Sequence, residues 1–316
     1  MCLENEAALA DMLGHIVDRV GENGITARHA TTLAGRLPTI FERNGIDKKV
    51  VCALIKDVAE LGHHSEKTGM PERTKQLCRA LIERHKFRNA FLLAHARPRL
   101  IAQDLLDAPA RENRPLTREE RGKVIRHGTV ALFCAIEIGG APVRVENVLE
   151  MPFGGENAWM KVVGKEVHVL IPGGFVKNGE DIRFKMTPGP HRFAETVRWY
   201  LDHIRPLILT DPETEETATS PWLVPMLSDV GRPCPYETFH GWFVRIMRDV
   251  VGVRCTPHNY RHGQASLLYH RYPDRIGKIA VRLGDTQDTV LRHYAWVHME
   301  KAMAEGQQLI ADLIDI

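Results

Sequence analysis

The stretch with the most informative spacing covers residues 256–294 and reads TPHNYRHGQASLLYHRYPDRIGKIAVRLGDTQDTVLRHY. The dipeptide Thr256-Pro257 predicts a helix start, because a threonine hydroxyl caps free backbone N–H groups and proline is tolerated at the first helical position. His258 and Arg261 then lie three residues apart on one face of that helix. We therefore expect the first turns to present an imidazole and a guanidinium side by side.

Arg261 is an unusual residue for the beginning of a helix. The N-terminal end of a helix favours an anion, so a cation there is unfavourable unless a phosphate or a similar group lies close by. Further along, Leu283-Gly284-Asp285 predicts a helix end, and a helix that begins near Asp288 carries Tyr294. We expect the tyrosine hydroxyl to face the same anion site.

A second arginine stands in the same kind of position. Gly139-Gly140 is expected to end one helix, and residues 141–147, APVRVEN, predict another that has a proline near its start. Arg144 thus falls in a predicted first turn, where a cation again needs an anionic partner. Two cations in first turns of helices depart from the local charge preference, and such departures are typical of a functional site.

Size and composition indicate a soluble globular protein with room for two domains. The chain has 316 residues, of which 44% are hydrophobic and 26% charged. No apolar run approaches the roughly 20 residues of a membrane span and no signal pattern is evident, so we expect a cytoplasmic protein without a membrane partner. The net charge of +2 means that any affinity for nucleic acid must come from local clusters of charge.

The cysteines are scattered, and their spacing predicts neither a disulfide framework nor a zinc site. We expect reduced, mostly buried thiols at Cys2, Cys52, Cys78, Cys134, Cys234 and Cys255. His258 and His262 stand at i and i+4, but no third ligand is evident, so no metal site is predicted.

Residues 1–107 have only helical periodicity. The segment that follows Pro71 alternates apolar and basic positions, which predicts a helix with a cationic face able to follow a phosphate backbone. The candidate DNA-binding residues on this segment are Arg73, Lys75, Arg79, Arg84 and Lys86.

The polar, proline-containing run DAPARENRP at residues 107–115 predicts a linker between domains, over residues 108–116. Thr117 with Glu120 predicts a capping box that opens the next helix. We therefore expect a helical domain over residues 1–107 and a second domain over residues 117–316.

Within the second domain, residues 159–163, 167–171 and 182–186 have the short β-like pattern of three strands. Asn178-Gly179 is a hairpin signal, and Lys177 directly precedes it. The predicted fold class is mainly α, of the α+β type, with helices around a small antiparallel three-stranded sheet.

Taken in order, these residues resemble the tyrosine recombinases, also known as phage-type integrases. The resemblance runs from Leu116 to Tyr294 and follows the family's order: an arginine, a lysine, His-x-x-Arg, then a Leu-Gly-x turn with the tyrosine nine residues beyond x. Each motif is weak alone, and the ordered set is fairly specific. The resemblance implies a catalytic domain of this family preceded by a helical core-binding domain that closes with it around DNA.

The resemblance also implies roles for the site residues. Tyr294 would be the nucleophile, and Arg144 and Arg261 would hold the scissile phosphate. Lys177 would protonate the leaving 5′ oxygen, and His258 would assist proton transfer or hold a phosphate oxygen. The implied activity is site-specific recombination or integration of DNA for a mobile element, through a 3′-phosphotyrosine intermediate. Double-stranded DNA is the implied partner, the protein would act on it as a dimer to tetramer, and no metal or other cofactor is implied.

The sequence departs from the family pattern at two positions. Asp285 stands where the family usually has histidine or tryptophan; it is a candidate for a sixth position of the site, outside the set of five catalytic residues, because it adds negative charge beside a phosphate. Asn147 stands where many members have glutamate.

Two alternatives remain open at this stage. A type IB topoisomerase has a similar set of residues but relaxes DNA as a monomer without joining two sites. A catalytically inactive DNA-binding accessory protein of the same fold would keep the architecture without the chemistry.

Overall fold

The computed structural model describes residues 6–20, 24–43, 47–58, 70–176 and 178–312. It divides into two compact units, Met1–Gly69 and Met70–Ile316, and each is described by itself. The candidate site lies entirely within the second unit.

The first unit contains four described helices: α1 (Glu6–Asp18), α2 (Ala27–Ala34), α3 (Leu37–Glu42) and α4 (Lys48–Asp57). Side-chain caps from Thr26 and Asp47 begin α2 and α4. The helices close over an apolar cluster that includes Leu13, Phe41 and Val51. The all-helical prediction for this part of the chain is confirmed for the residues that are described.

The second unit is also mainly helical. Before the sheet come α5 (Glu72–Glu83), α6 (His85–Leu92), α7 (Ala96–Arg111), α8 (Arg118–Gly139) and α9 (Val145–Leu149). After it come α10 (Phe193–Trp199), α11 (Arg205–Leu209), α12 (Tyr236–Ile246), α13 (Pro257–Arg271), α14 (Ile276–Leu283), α15 (Gln287–Tyr294) and α16 (Met299–Asp312).

The predicted linker lies inside this second unit. Helix α7 continues to Arg111 through a buried Pro109, and it packs along α8. Thr117 and Glu120 form the predicted capping box at the start of α8. The compact division of the chain therefore falls between Gly69 and Met70 rather than at residues 108–116. The functional division into a DNA-binding domain of residues 1–107 and a catalytic domain of residues 117–316 stays a prediction.

The main sheet has the predicted three strands. Strands β1 (Met160–Val163), β2 (Glu166–Ile171) and β3 (Ile182–Met186) pair antiparallel in the order β1-β2-β3. Asn178-Gly179 forms a turn with Gly179 at φ 75°, but the connection between β2 and β3 is longer than a two-residue hairpin and contains a 3-10 turn at Gly173–Phe175. A second sheet of β4 (Pro225–Met226) and β5 (Asp229–Pro233) was not predicted.

Helix α8 is the centre of the core, and every residue from Gly128 to Glu137 is buried. Its Phe133 ring contacts Phe239 and Phe243 of α12 at centroid distances of 4.9 and 5.4 Å. Tyr260 of α13 packs 5.7 Å from Phe243 and donates a 3.0 Å hydrogen bond to the carbonyl of Phe91. These contacts attach α13, which carries His258 and Arg261, to the most buried part of the unit.

Two further findings concern the described part of the chain. None of its helices combines the length and the apolarity that crossing a membrane demands. Its cysteines are free thiols, at Cys52, Cys78, Cys134, Cys234 and Cys255, while Cys2 lies outside the described residues.

Candidate active site

A cavity of about 330 Å³ lies where the starts of α9, α12 and α13 meet the turn between α14 and α15. Its lining brings together predicted site residues from distant parts of the sequence: Arg144, His258, Arg261, Asp285 and Tyr294. The remaining wall is formed by Val143, Val145, Glu146, Tyr236, Pro257, His262, Leu283, Thr289, Val290 and His293. Lys177, the remaining predicted catalytic residue, lies outside the described residues.

Helix α13 begins as predicted. The Thr256 hydroxyl accepts a hydrogen bond from the Asn259 amide at 3.2 Å, and Pro257 occupies the first helical position. This start places His258 in the first turn at the cavity, with Arg261 one turn further along the same face.

Arg261 is anchored by the protein itself. Its guanidinium donates to the backbone carbonyls of Pro142 and Leu283, and it lies 3.4 Å from a carboxylate oxygen of Asp285. Only 13% of its side chain is exposed. Because the guanidinium is a rigid, planar fork, these contacts fix its orientation toward the cavity before any ligand arrives.

Arg144 lies on the same cavity but differs from its predicted placement. Residues 141–144 are not helical, and Arg144 is the extended N-cap residue of α9, with φ −70° and ψ 147°. It is therefore one position before the first turn, and it is exposed. Glu146, in the first turn, also lines the cavity, so this wall offers both a cation and a carboxylate.

Asp285 follows the left-handed residue that ends α14. Gly284 has φ 58°, and a Cβ there would come within 2.8 Å of Ile182 Cδ1 in strand β3. The Asp285 amide donates to the Ala280 carbonyl at 3.0 Å, which is the usual way that a helix end is closed. The turn thus aims the Asp285 carboxylate at Arg261.

Tyr294 ends helix α15 and is only 4% exposed. Burial raises the pKa of its hydroxyl well above the usual value; Arg261 opposes this rise, while Cys78 and Asp285 add to it. The hydroxyl is therefore neutral at ordinary pH, and a proton acceptor is needed before the oxygen can act as a nucleophile.

His262 is the main residue that sequence reasoning missed. Its Nδ1 lies 2.8 Å from the Tyr294 hydroxyl oxygen, and its Nε2 lies 3.0 Å from Nε2 of His258. The spacing of His258 and His262 at i and i+4 predicts that the two rings share a helix face, but it does not indicate a contact with Tyr294. No group of three or more potential metal-ligating side chains occurs among the residues that the structure describes.

The surroundings of both imidazoles favour the neutral form. Burial, followed by the nearby His258, His293 and Arg261, lowers the pKa of His262 to about 3. Burial, followed by Arg261, also lowers the pKa of His258, while Glu146 raises it. A neutral imidazole has one N–H group and one acceptor nitrogen, so each ring can accept a proton and donate one.

The predicted cationic face of α5 is partly occupied by internal contacts. Arg79 pairs with Glu72 at 2.8 Å and lies over the Trp296 ring at 5.3 Å, and Lys75 lies 4.0 Å from the same glutamate. Arg84 and Lys86 are exposed where α5 gives way to α6. Two of the five candidates are therefore paired with a carboxylate of their own helix.

Arg73, the remaining candidate, lines a second cavity of about 360 Å³. Arg248 and Arg254 line it too, as do Thr256 and Asn259 at the start of α13. Arg248 pairs with its neighbour Asp249 at 2.6 Å. The other lining residues are Thr74, Leu77, Val244 and Cys255, so this cavity is rimmed by arginines and by no acidic side chain within the described ranges.

The two cavities share helix α13, and together they suit an anionic, phosphate-bearing ligand. Two guanidiniums and an imidazole offer charge-assisted donors for phosphate oxygens, and a phenol beside them supplies an oxygen nucleophile. A scan against models of protein families matches none of them, and searches among curated proteins and solved structures likewise find no match.

Proposed function

We propose that the chain is a site-specific DNA recombinase that cleaves and rejoins strands through Tyr294. The observation that carries this proposal is the common cavity of Arg144, His258, Arg261 and Tyr294. Packing alone gives no reason for two arginines, a histidine and a tyrosine from three separate helices to line one cavity. This is the set that the resemblance to tyrosine recombinases implies, apart from Lys177.

The chemistry follows from these groups. The Tyr294 oxygen forms a bond to the scissile phosphorus, the bond from phosphorus to O5′ breaks, and a 3′-phosphotyrosine and a free 5′ hydroxyl result. Charge on the phosphate oxygens grows in the transition state, and the two guanidiniums stabilise it. Attack by the 5′ hydroxyl of the same or another strand reverses the steps and frees Tyr294. The bond energy is retained in the phosphotyrosine, so rejoining needs no nucleotide cofactor.

The anchored arginine supports this assignment further. A guanidinium that is already held by the carbonyls of Pro142 and Leu283 loses little freedom when it meets a phosphate. The Asp285 carboxylate pairs with this same guanidinium, whereas a residue that had lost its role in the site would have no reason to contact it. These contacts favour an active enzyme over an inactive accessory protein.

The test uses a pool of nicked duplexes with randomised sequence, from which protein–DNA complexes that survive SDS are recovered and sequenced. A nick beside the cleavage point lets the short 5′ fragment diffuse away, so the covalent complex accumulates. We expect the wild type to form such complexes on a defined sequence. The Tyr294→Phe variant is expected to bind the same DNA and form none.

Other outcomes separate the alternatives. Relaxation of a supercoiled plasmid of arbitrary sequence without joined products would identify a topoisomerase. Enrichment of one sequence by the wild type without any covalent complex would identify a DNA-binding accessory protein. An adduct formed by Tyr294→Phe would reject Tyr294 as the nucleophile.

A further inference from the structure

Three side chains form a continuous hydrogen-bonded line from the buried tyrosine to the mouth of the cavity. The Tyr294 hydroxyl lies 2.8 Å from His262 Nδ1, and His262 Nε2 lies 3.0 Å from His258 Nε2. Tyr294 is buried, whereas His258 is exposed at the cavity. His262 is thus the connection between the hydroxyl and the more exposed imidazole.

We propose that His262 takes the proton from Tyr294 and passes its own proton to His258, and so acts as a further catalytic residue. This inference rests on the proposed function, because it assigns a role in the attack of Tyr294 on the scissile phosphate. In the step, the Tyr294 oxygen bonds to phosphorus as its proton moves to His262 Nδ1. The proton on His262 Nε2 moves to His258 Nε2. O5′ departs with a proton from the general acid, the role that the resemblance implies for Lys177.

The direction of proton transfer along this line follows from the number of protons on the tyrosine and the two neutral imidazoles. Tyr294 has one proton, and if it donates to Nδ1 of a neutral His262, the single N–H of that ring is on Nε2 and points at His258. His258 then accepts at Nε2 and carries its own proton on Nδ1. The opposite set of tautomers also satisfies the distances, but it leaves the tyrosine proton without an acceptor in this line.

The electrostatics assign His262 the role of a relay rather than that of a final base. An imidazole whose pKa is about 3 does not keep a second ring proton near neutral pH. In a concerted transfer it gains one proton and loses another, and it stays neutral with its tautomer changed. The charge arrives on His258, which is more exposed than His262; burial and Arg261 lower the pKa of this imidazole, and Glu146 opposes them and stabilises the imidazolium.

Several groups face this line and bear on its pH dependence. His262 is faced by His258 and Arg261 of its own helix and by His293 and Tyr294 of α15. Arg261 acts on both ends of the line. The other groups are Glu146, His293 and Arg144 at His258, and Cys78 and Asp285 at Tyr294.

The experiment compares His262→Asn with the wild type in single-turnover cleavage of the nicked duplex recovered from the pool. The asparagine amide oxygen can accept from Tyr294 in place of Nδ1, but an amide cannot relay a proton. We expect cleavage to slow by roughly 100-fold at pH 7, within the range of general acid–base catalysis, and to recover as the pH rises towards 10. Duplex affinity is expected to stay unchanged, and His270→Asn, on the same helix but outside the cavity, should behave as the wild type.

A substrate with sulfur at the bridging 5′ position separates this role from leaving-group protonation. The sulfur departs without a proton, so this substrate is expected not to rescue His262→Asn. Rescue would mean that His262 serves protonation of the leaving O5′, and it would overturn the proposal. A wild-type cleavage rate in His262→Asn would overturn it as well.

A readout without DNA distinguishes failure of the relay from failure of the proposed function. In ¹⁵N-histidine NMR spectra of the whole chain, the signal that His262→Asn removes should show the tautomer protonated at Nε2. A proton on Nδ1 would overturn the relay even if the wild type forms covalent complexes. Absence of any covalent complex in the wild type would overturn both proposals, whatever the tautomer.

Discussion

The carboxylate of Asp285 lies 3.4 Å from the guanidinium of Arg261, and the two side chains are 18% and 13% exposed. The pair brings a second carboxylate, beside that of Glu146, into a cavity where Arg144 and Arg261 favour an anion. The two members of the pair act oppositely on Tyr294: burial raises the pKa of its hydroxyl first of all, Arg261 lowers that pKa, and Asp285 adds to the rise and so opposes ionisation. Arg261 keeps two carbonyl acceptors besides this carboxylate, so its orientation does not depend on Asp285 alone.

Asp285→Asn is therefore expected to tighten DNA binding while cleavage is retained. The amide keeps the shape of the side chain and removes the charge that repels a phosphate. We take the repulsion between the Asp285 carboxylate and a bound phosphate to be of the size of a partly screened charge pair, up to about 1 kcal/mol. Its removal corresponds to a Kd that is lower by roughly fivefold. Fluorescence anisotropy with a labelled cognate duplex measures the effect, and a Kd that increases would mean that the carboxylate serves binding rather than opposing it.

Arg261 and Arg144 are expected to respond differently to the same substitution. Arg261→Lys leaves a point charge that cannot serve the carbonyls of both Pro142 and Leu283, so one buried acceptor loses its donor. That loss costs about 1–3 kcal/mol of unfolding free energy. Arg144 is an exposed N-cap residue, and Arg144→Lys is expected to leave the unfolding free energy unchanged.

Urea unfolding of both variants, with the nicked-duplex assay beside it, measures the difference. Both substitutions are expected to slow cleavage, because neither lysine reproduces the planar fork that matches a phosphate. Equal stability of the two variants would show that the carbonyl contacts of Arg261 are not important for folding.

The predictable parts of this site are the local ones. The Thr256 cap, the Pro257 start and the helix end at Gly284 are predictable because each depends on a few neighbouring residues. The partners of Arg261 are not, because Pro142 is 119 positions away in the chain and no local pattern brings them together. His262 was missed for the same reason, since its contact with Tyr294 depends on how α15 packs beside α13.

The predicted linker coincides in part with a loop, since residues 112–117 are not helical, while residues 107–111 belong to the end of α7. Residues 107–115 contain polar residues and two prolines, which favour a loop. In the structure Pro109 is buried near the end of α7, and that helix packs along α8. Tertiary packing of the helix outweighs the local cost of a proline in its last turns.

The arginines around the second cavity are expected to contact the DNA backbone. Arg73→Gln combined with Arg254→Gln removes two charges from a rim that has no acidic lining residue within the described ranges. Each lost phosphate contact reduces the slope of log K against log salt by about 0.9, so the double variant should lose up to about 2. Anisotropy titrations on an arbitrary duplex over a range of salt concentrations measure that slope.

Arg79→Gln is the matched control on the same helix. Its guanidinium is already paired with Glu72 and lies over Trp296, so it is less available to a phosphate. We expect an unchanged salt slope for this variant. A slope that falls equally in all variants would indicate a diffuse effect of net charge rather than a defined contact.

Glu137 is a fully buried carboxyl on α8, and its Oε2 accepts a 3.4 Å hydrogen bond from Gln264. Burial raises its pKa well above the ordinary value of 4.5, although Arg261 and Arg282 oppose the rise. The folded state therefore holds a proton that the unfolded state releases. The stability that this proton contributes is complete below pH 4.5 and is lost as the pH rises towards the folded pKa.

Glu137→Gln is expected to remove that loss, because a glutamine amide stays neutral at every pH. Between pH 5 and 8, the unfolding free energy of the wild type minus that of the variant should fall by up to about 1.4 kcal/mol per pH unit. The difference cancels the opposite trend from His258 and His262, whose lowered pKa values make stability rise as the pH rises towards 6.5 and level off above it. Urea unfolding at each pH gives the values, with Glu119→Gln at the exposed start of the same helix as the control. A difference that stays constant with pH would mean that Glu137 is ionised in the folded protein and held by Arg261 and Arg282.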